Sequence, residues 1–119
     1  MTLQEEKELL LKDVCARLPY GVKGINQYGK IIGLDHPTDY SPYMSIKNAI
    51  LKHGWKPYLF PLSSMTEEQK LEFIALRTYV SLTKNKEYLL FDWLNANHFD
   101  YRDLIPMGLA IDCTNLNIY

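Results

Sequence analysis

Cysteine is scarce in this chain. Cys15 and Cys113 are the only two in 119 residues, and they form no CxxC pair. That spacing excludes a disulfide-rich scaffold and the cysteine-based zinc patterns, and both thiols are expected to be reduced. His36, His53 and His98 show none of the short spacings of a zinc site, so no metal or cofactor is expected. Long apolar runs are missing as well. The longest, such as Tyr88 to Phe91, suit a core and fall far short of the roughly 18–20 residues that span a bilayer. The first eight residues, Met1-Thr2-Leu3-Gln4-Glu5-Glu6-Lys7-Glu8, are polar and acidic and do not read as a signal peptide, which points to the cytoplasm. There is no excess of one charge: 13 Lys and Arg stand against 14 Asp and Glu. A dedicated nucleic-acid binder normally carries a clear basic surplus. No glycine-rich phosphate loop, nucleophile elbow or HExxH is present, nor any repeat or low-complexity linker.

What is present suits one globular domain over 1–119, with hydrophobic residues at 47% and charged residues at 23%. The expected class is α+β, about four helices packed on a small antiparallel sheet. Thr2 and Glu5 have capping-box spacing, and Leu3, Leu10, Leu11, Val14 and Leu18 recur at helical intervals until Pro19 ends the helix. Residues 22–34 read as a hairpin turning around Asn26 to Gly29, although Gly24 and Gly33 fall inside its strands. The stretch from Asp35 to Tyr43 contains Pro37 and Pro42 and reads as loop. Ser45 is placed to cap a short helix through Ile46, Ala49 and Ile50 that closes at Gly54. Trp55 to Leu62 is extended, and Pro57 and Pro61 suggest an edge strand or strap. Ser64 and Glu67 again have capping-box spacing ahead of Leu71, Ile74 and Ala75, while 78–82 suits helix or strand equally.

From Lys86 to Asn97 the pattern is apolar around most of a helix, leaving Tyr88, Asp92 and Asn95 as a narrow polar strip. Such a helix is expected to be central, with Trp93 in the core. Asp100 is placed to cap a second short helix over 101–107, with Phe99 and Leu104 spaced as a hydrophobic staple, and Leu109 to Ile111 reads as a strand. The run from Asp92 to Ile105, DWLNANHFDYRDLI, followed by Gly108-Leu109-Ala110, resembles a group of short proteins of gut-bacterial phages and prophages. Leu9 to Lys23 and Lys56 to Lys70 are similar to the same group, and the three blocks cover about half of the chain. This sequence departs from the group's pattern at Asp103, where glycine is usual, and at Pro106-Met107. The resemblance implies a phage-type context and no particular reaction.

His98, Asp100 and Arg102 have the residue types of an acid/base cluster, with capping and turn formation as the competing explanation. The segment 86–107 also has the outline of a helix-turn-helix, with Tyr101 and Arg102 opening the second helix. Nine tyrosines, several in expected turns (Tyr20, Tyr28, Tyr40, Tyr43), suit protein contact, since tyrosine offers a large amphipathic surface at small entropic cost, with capping of the edge of a small core as the competing explanation. Packing accounts for Trp93, Leu94, Phe99, Leu104 and Ile105, and capping for Asp100 and Asp103. Asn95, Asn97, His98 and Arg102 remain, with Asn97 able to serve as a left-handed cap; joined by Tyr101 for its residue type, they are the expected partner-contact surface, with solvated turn residues as the competing explanation. The function expected is therefore that of a small non-enzymatic binding protein, a phage-derived accessory factor that contacts a host or phage protein. The alternative is a nucleic-acid-associated regulator working through the 86–107 corner, with a hydrolytic role around His98 third.

Overall fold

The computed structural model describes residues 1–34, 49–51 and 53–119; the loop expected over 35–43 and the cap expected at Ser45 lie outside them. Helix α1, Leu3–Arg17, starts where the Thr2 side chain accepts the Glu5 N–H at 3.1 Å, with Glu5 and Glu6 complementing the helix N-terminus. A single 3₁₀ turn, Leu18–Tyr20, carries Pro19, and Gly21 at φ 70° turns the chain into the sheet. Strands β1 (Val22–Ile25) and β2 (Ile31–Leu34) form the expected antiparallel hairpin. Its loop is held by Asn26, whose Oδ1 accepts the N–H groups of Tyr28 and Lys30.

Strand β3, Lys56–Pro61, holds the sheet together and is not the edge strap that its prolines suggested. It pairs antiparallel with β1 at Gly24–Pro57 and Ile25–Lys56. It also runs parallel to two two-residue strands, β4 (Phe99–Asp100) and β5 (Ile111–Asp112). The sheet is thus mixed, its antiparallel half joined to a parallel half that residue patterns did not disclose. Each β3 ladder is so short that the missing amides of Pro57 and Pro61 cost little. The Phe60 N–H reaches His98 C=O at 2.8 Å, and Leu59 C=O accepts the Cys113 N–H at 3.0 Å.

The core gathers Leu10 and Val14 from α1, Val22, Trp55 and Leu59 from the sheet region, and Leu104 and Ala110 from the last segment. Trp55 is its largest member, with its indole N–H donated to Ile32 C=O at 3.2 Å. The indole also explains Gly24: a β-carbon there would collide with the Trp55 ring and with the Lys56 carbonyl. Residues 49–51 and 53 are helical, and Gly54 at φ 60° ends that helix as expected.

Helix α2 runs Glu67–Leu82, which settles 78–82 as helix. Its capping box is Thr66 with Gln69, not Ser64 with Glu67; Ser64 lies in a 3₁₀ turn and donates to Pro61 C=O. Helix α3, Glu87–Ala96, packs against α2 and α1, but it is not a central helix. Only Leu94 and Asn95 are buried on it, and Phe91 and Tyr88 are about half exposed. Trp93 is half-buried between Phe73 and Phe99, with its indole N–H on Glu72. The expected helix over 101–107 does not form, and with it goes the helix-turn-helix outline. Asp100 caps successive turns through both carboxylate oxygens, and left-handed Asp103 (φ 58°) breaks any helical path.

Trp55, not Trp93, is the aromatic on which the core depends. Trp55→Ala is expected to lower unfolding free energy by about 3–5 kcal/mol in urea titration, and Trp93→Ala by less than half as much. Equal losses would contradict the burial described.

Candidate functional site: an arginine–aromatic groove

Three segments meet at one corner. Helix α1 contributes Asp13, Ala16 and Arg17, α3 contributes Tyr88, Phe91, Asp92 and Asn95, and the turn after β4 contributes Tyr101 and Arg102. Asp13 and Arg17, one helical turn apart, have no solvent exposure. Arg17 donates Nε to Asp13 Oδ2 at 2.8 Å and Nη2 to Asp13 Oδ1 at 3.1 Å. Its Nη2 also donates to Phe99 C=O at 2.7 Å, which ties α1 to β4. Arg102, partly exposed, donates Nε to the same Asp13 Oδ1 at 3.1 Å. Both guanidinium groups lie against the Tyr101 ring, 5.2 Å and 5.1 Å from its centroid, and the ring's negative face offsets the extra positive charge.

Above this cluster lies a groove of about 620 Å³ lined by Ala16, Tyr88, Phe91, Asp92, Asn95, Tyr101 and Arg102. The polar strip Tyr88, Asp92 and Asn95 marks its α3 wall. Phe91 packs on Tyr101 with ring centroids 5.4 Å apart, and Tyr101 donates its hydroxyl to Asn95 Oδ1 at 2.9 Å. Asn95 is therefore buried and orients Tyr101, while Tyr88 (53% exposed) and Phe91 (46%) present their faces to solvent.

Of the five residues expected to form a contact surface, the structure brings Asn95, Tyr101 and Arg102 to this groove. Asn97 and His98 lie elsewhere. Asn97 donates Nδ2 to Trp93 C=O and closes its own helix at φ −96°, so the left-handed residue is His98 at φ 61°. The His98 ring stacks on Tyr119 at a centroid distance of 3.6 Å. Tyr119 in turn accepts the Lys23 N–H at 2.8 Å and donates to Tyr58 C=O at 2.9 Å, bridging β1 and β3 where their ladder stops. Burial pushes the Tyr119 phenol up to about 12. The acid/base pairing suggested by His98 and Asp100 is not made: both Asp100 oxygens accept backbone amides, and His98 Nδ1 is buried with no partner among the described residues. Among the described residues no three His, Cys, Asp or Glu converge on a possible metal position, and no helix is long and apolar enough to cross a membrane.

Sequence reasoning missed Asp13, Arg17 and Tyr119. For the first two a signal existed: both fall on the face of α1 that carries Leu10 and Val14, and a charged pair at i, i+4 on a core-facing stripe implies burial with a partner. No family model, curated protein or solved structure matches the chain.

Burial, reinforced by the charges of Arg17 and Lys23, lowers the His98 pKa from 6.5 to about 4. Between those values the unfolded chain binds a proton that the folded one excludes, so this contribution is complete above pH 6.5 and fades as pH falls towards about 4. The urea midpoint is expected to drop over that interval more steeply in the wild type than in His98→Asn, a residue that tolerates the left-handed backbone. Parallel pH profiles for the two chains would show that His98 does not titrate this way.

Proposed function

We propose that this chain is a small non-enzymatic binding protein, a phage-type accessory factor that receives a segment of a host or phage protein in the α1–α3 groove. The observation that carries the reading is the convergence of two half-exposed aromatics, Tyr88 and Phe91, with Tyr101 and Arg102 on a rigid floor. Aromatic and arginine side chains dominate binding energy at protein interfaces, because they bury much area for few rotatable bonds and still offer directional donors. Here Arg102 is held through Nε, which leaves its two terminal nitrogens as donors for an incoming acceptor. Asp92 on the opposite wall supplies an acceptor for a partner amide or cation.

The floor is organised before any partner arrives. Tyr101 is held by Asn95 and by two guanidinium groups, so little side-chain entropy remains to be lost on binding. The resemblance of 92–105 to phage and prophage proteins supports the biological setting, since that segment carries most of the groove. A nucleic-acid role through the same corner has no recognition helix to act with, because 101–107 is turn.

Tyr88→Ala and Phe91→Ala, made singly, are expected to reduce capture of the wild-type partner from bacterial host lysate by at least about tenfold. Both side chains are half exposed, so unfolding free energy should stay within about 1 kcal/mol of wild type. Undiminished capture by both variants would place the binding surface elsewhere.

A further inference from the structure

The outward face of α2 belongs neither to the core nor to the groove. Its inward residues are Phe73, Leu76 and Val80, half-buried toward α3, where Phe73 meets Trp93 at 5.9 Å. On the opposite side runs a second apolar stripe: Leu71, Ile74, Ala75, Thr78, Tyr79 and Leu82, all exposed, with Leu71 at 70% and Leu82 at 81%. Spacings of three and four keep these six on one side of the helix. A helix that carries apolar stripes on two opposite faces while covering only one presents the other to a partner.

The order of residues along this stripe suits a second copy of the same helix. Read from either end it runs leucine, then a pair of one large and one small side chain, then another such pair, then leucine. Reversing the helix about the point between Leu76 and Arg77 exchanges Leu71 with Leu82, Ile74 with Tyr79, and Ala75 with Thr78. A two-fold interface requires a surface that complements itself in this way. The two small residues fall next to the axis, where helix backbones approach most closely, and the leucines fall at the ends. Charge follows the same reversal. Glu67, Glu68 and Glu72 outnumber Lys70 at the start of the helix, where Lys70 pairs with Glu67 at 3.2 Å, whereas Lys84 and Lys86 follow its end, so an antiparallel copy sets the net acidic end of each helix beside the basic end of the other. A parallel pair would juxtapose like ends. The helix dipoles also oppose favourably in the antiparallel arrangement.

We infer that the outward face of α2 is a self-association surface on which two copies of this chain pair antiparallel about a two-fold axis near Leu76 and Arg77. None of its residues lines the groove, so the dimer leaves both grooves open.

Sedimentation equilibrium of the full chain tests this. The wild type is expected to reach twice the monomer mass as its concentration rises through about 100 µM. Ile74→Lys, an exposed position in a residue type that favours helix, should remain monomeric with an unchanged circular dichroism spectrum. Lys84→Glu/Lys86→Glu should weaken the dimer about tenfold, and adding Glu67→Lys/Glu68→Lys to that variant should restore it. A wild type that stays monomeric throughout overturns the inference, and one that does so while binding anionic lipid vesicles identifies the face as a membrane contact instead. A dimer that Ile74→Lys leaves intact, or a four-fold charge reversal that restores nothing, also overturns it.

Discussion

Two charges without access to solvent sit where α1, α3 and β4 meet. Withdrawing the Asp13 carboxylate and the Arg17 guanidinium from water costs several kcal/mol each, and their mutual attraction offsets this only when the geometry is good and the remaining donors and acceptors are engaged. The arrangement meets most of that demand. Arg17 engages both carboxylate oxygens and the Phe99 carbonyl, and Arg102 adds a second cation to Asp13 while leaving its own charge partly hydrated. One donor, Arg17 Nη1, is buried without a partner among the described residues. A pair of this kind contributes little net stability compared with well-packed apolar residues, but losing either partner strands a buried charge, and here its contacts bind the Phe99 carbonyl to α1. It specifies where the chain beyond α3 must lie.

That specification matters because the later segment has little regular structure to hold itself. Strands β4 and β5 are two residues each, and 101–110 is a succession of turns. β4 is an edge strand whose outward carbonyl at Phe99 goes to Arg17, so the ion pair closes the sheet as well as anchoring α1. Asp100 then organises the following turn through Leu104 and Ile105, and Leu104 enters the core beside Val14. At the other end Tyr119 joins β1 to β3 and covers His98. The groove is the outer surface of this cluster. Its floor residue, Tyr101, is fixed by the same arginines that satisfy Asp13.

Much of the fold was legible in the residues, and the failures have physical causes. Thr2, Pro19, the Asn26 turn and Gly54 act through local backbone chemistry, which needs no tertiary context, and each stands where expected. β3 was misplaced because a proline is read as an edge signal; here ladders of two pairs on either side make few demands on the amides that proline lacks. Parallel pairing of β4 and β5 joins residues some forty and fifty positions from their partners, and no local pattern encodes that. Helix α3 reads as apolar all round because it serves two contacts, Trp93 toward α2 and Phe91 toward the groove, with solvent between them. Among the groove residues, Arg102 stands out in the sequence because neither packing nor capping uses it, and Tyr101 because its residue type is favoured at interfaces. Asp13 and Arg17 escaped notice because they look like ordinary surface charges until the apolar residues beside them are counted as a face.

Asp13 and Arg17 act as one unit that holds the later segment against α1. A double-mutant cycle with Asp13→Asn and Arg17→Gln, read by urea unfolding, measures this directly. Each single change should cost about 3–5 kcal/mol, because each leaves a buried polar partner uncompensated. The double variant should cost clearly less than the sum, with a coupling of at least about 2 kcal/mol. Additive losses, with coupling within about 0.5 kcal/mol of zero, would mean that the two residues act separately and that something else holds the corner together.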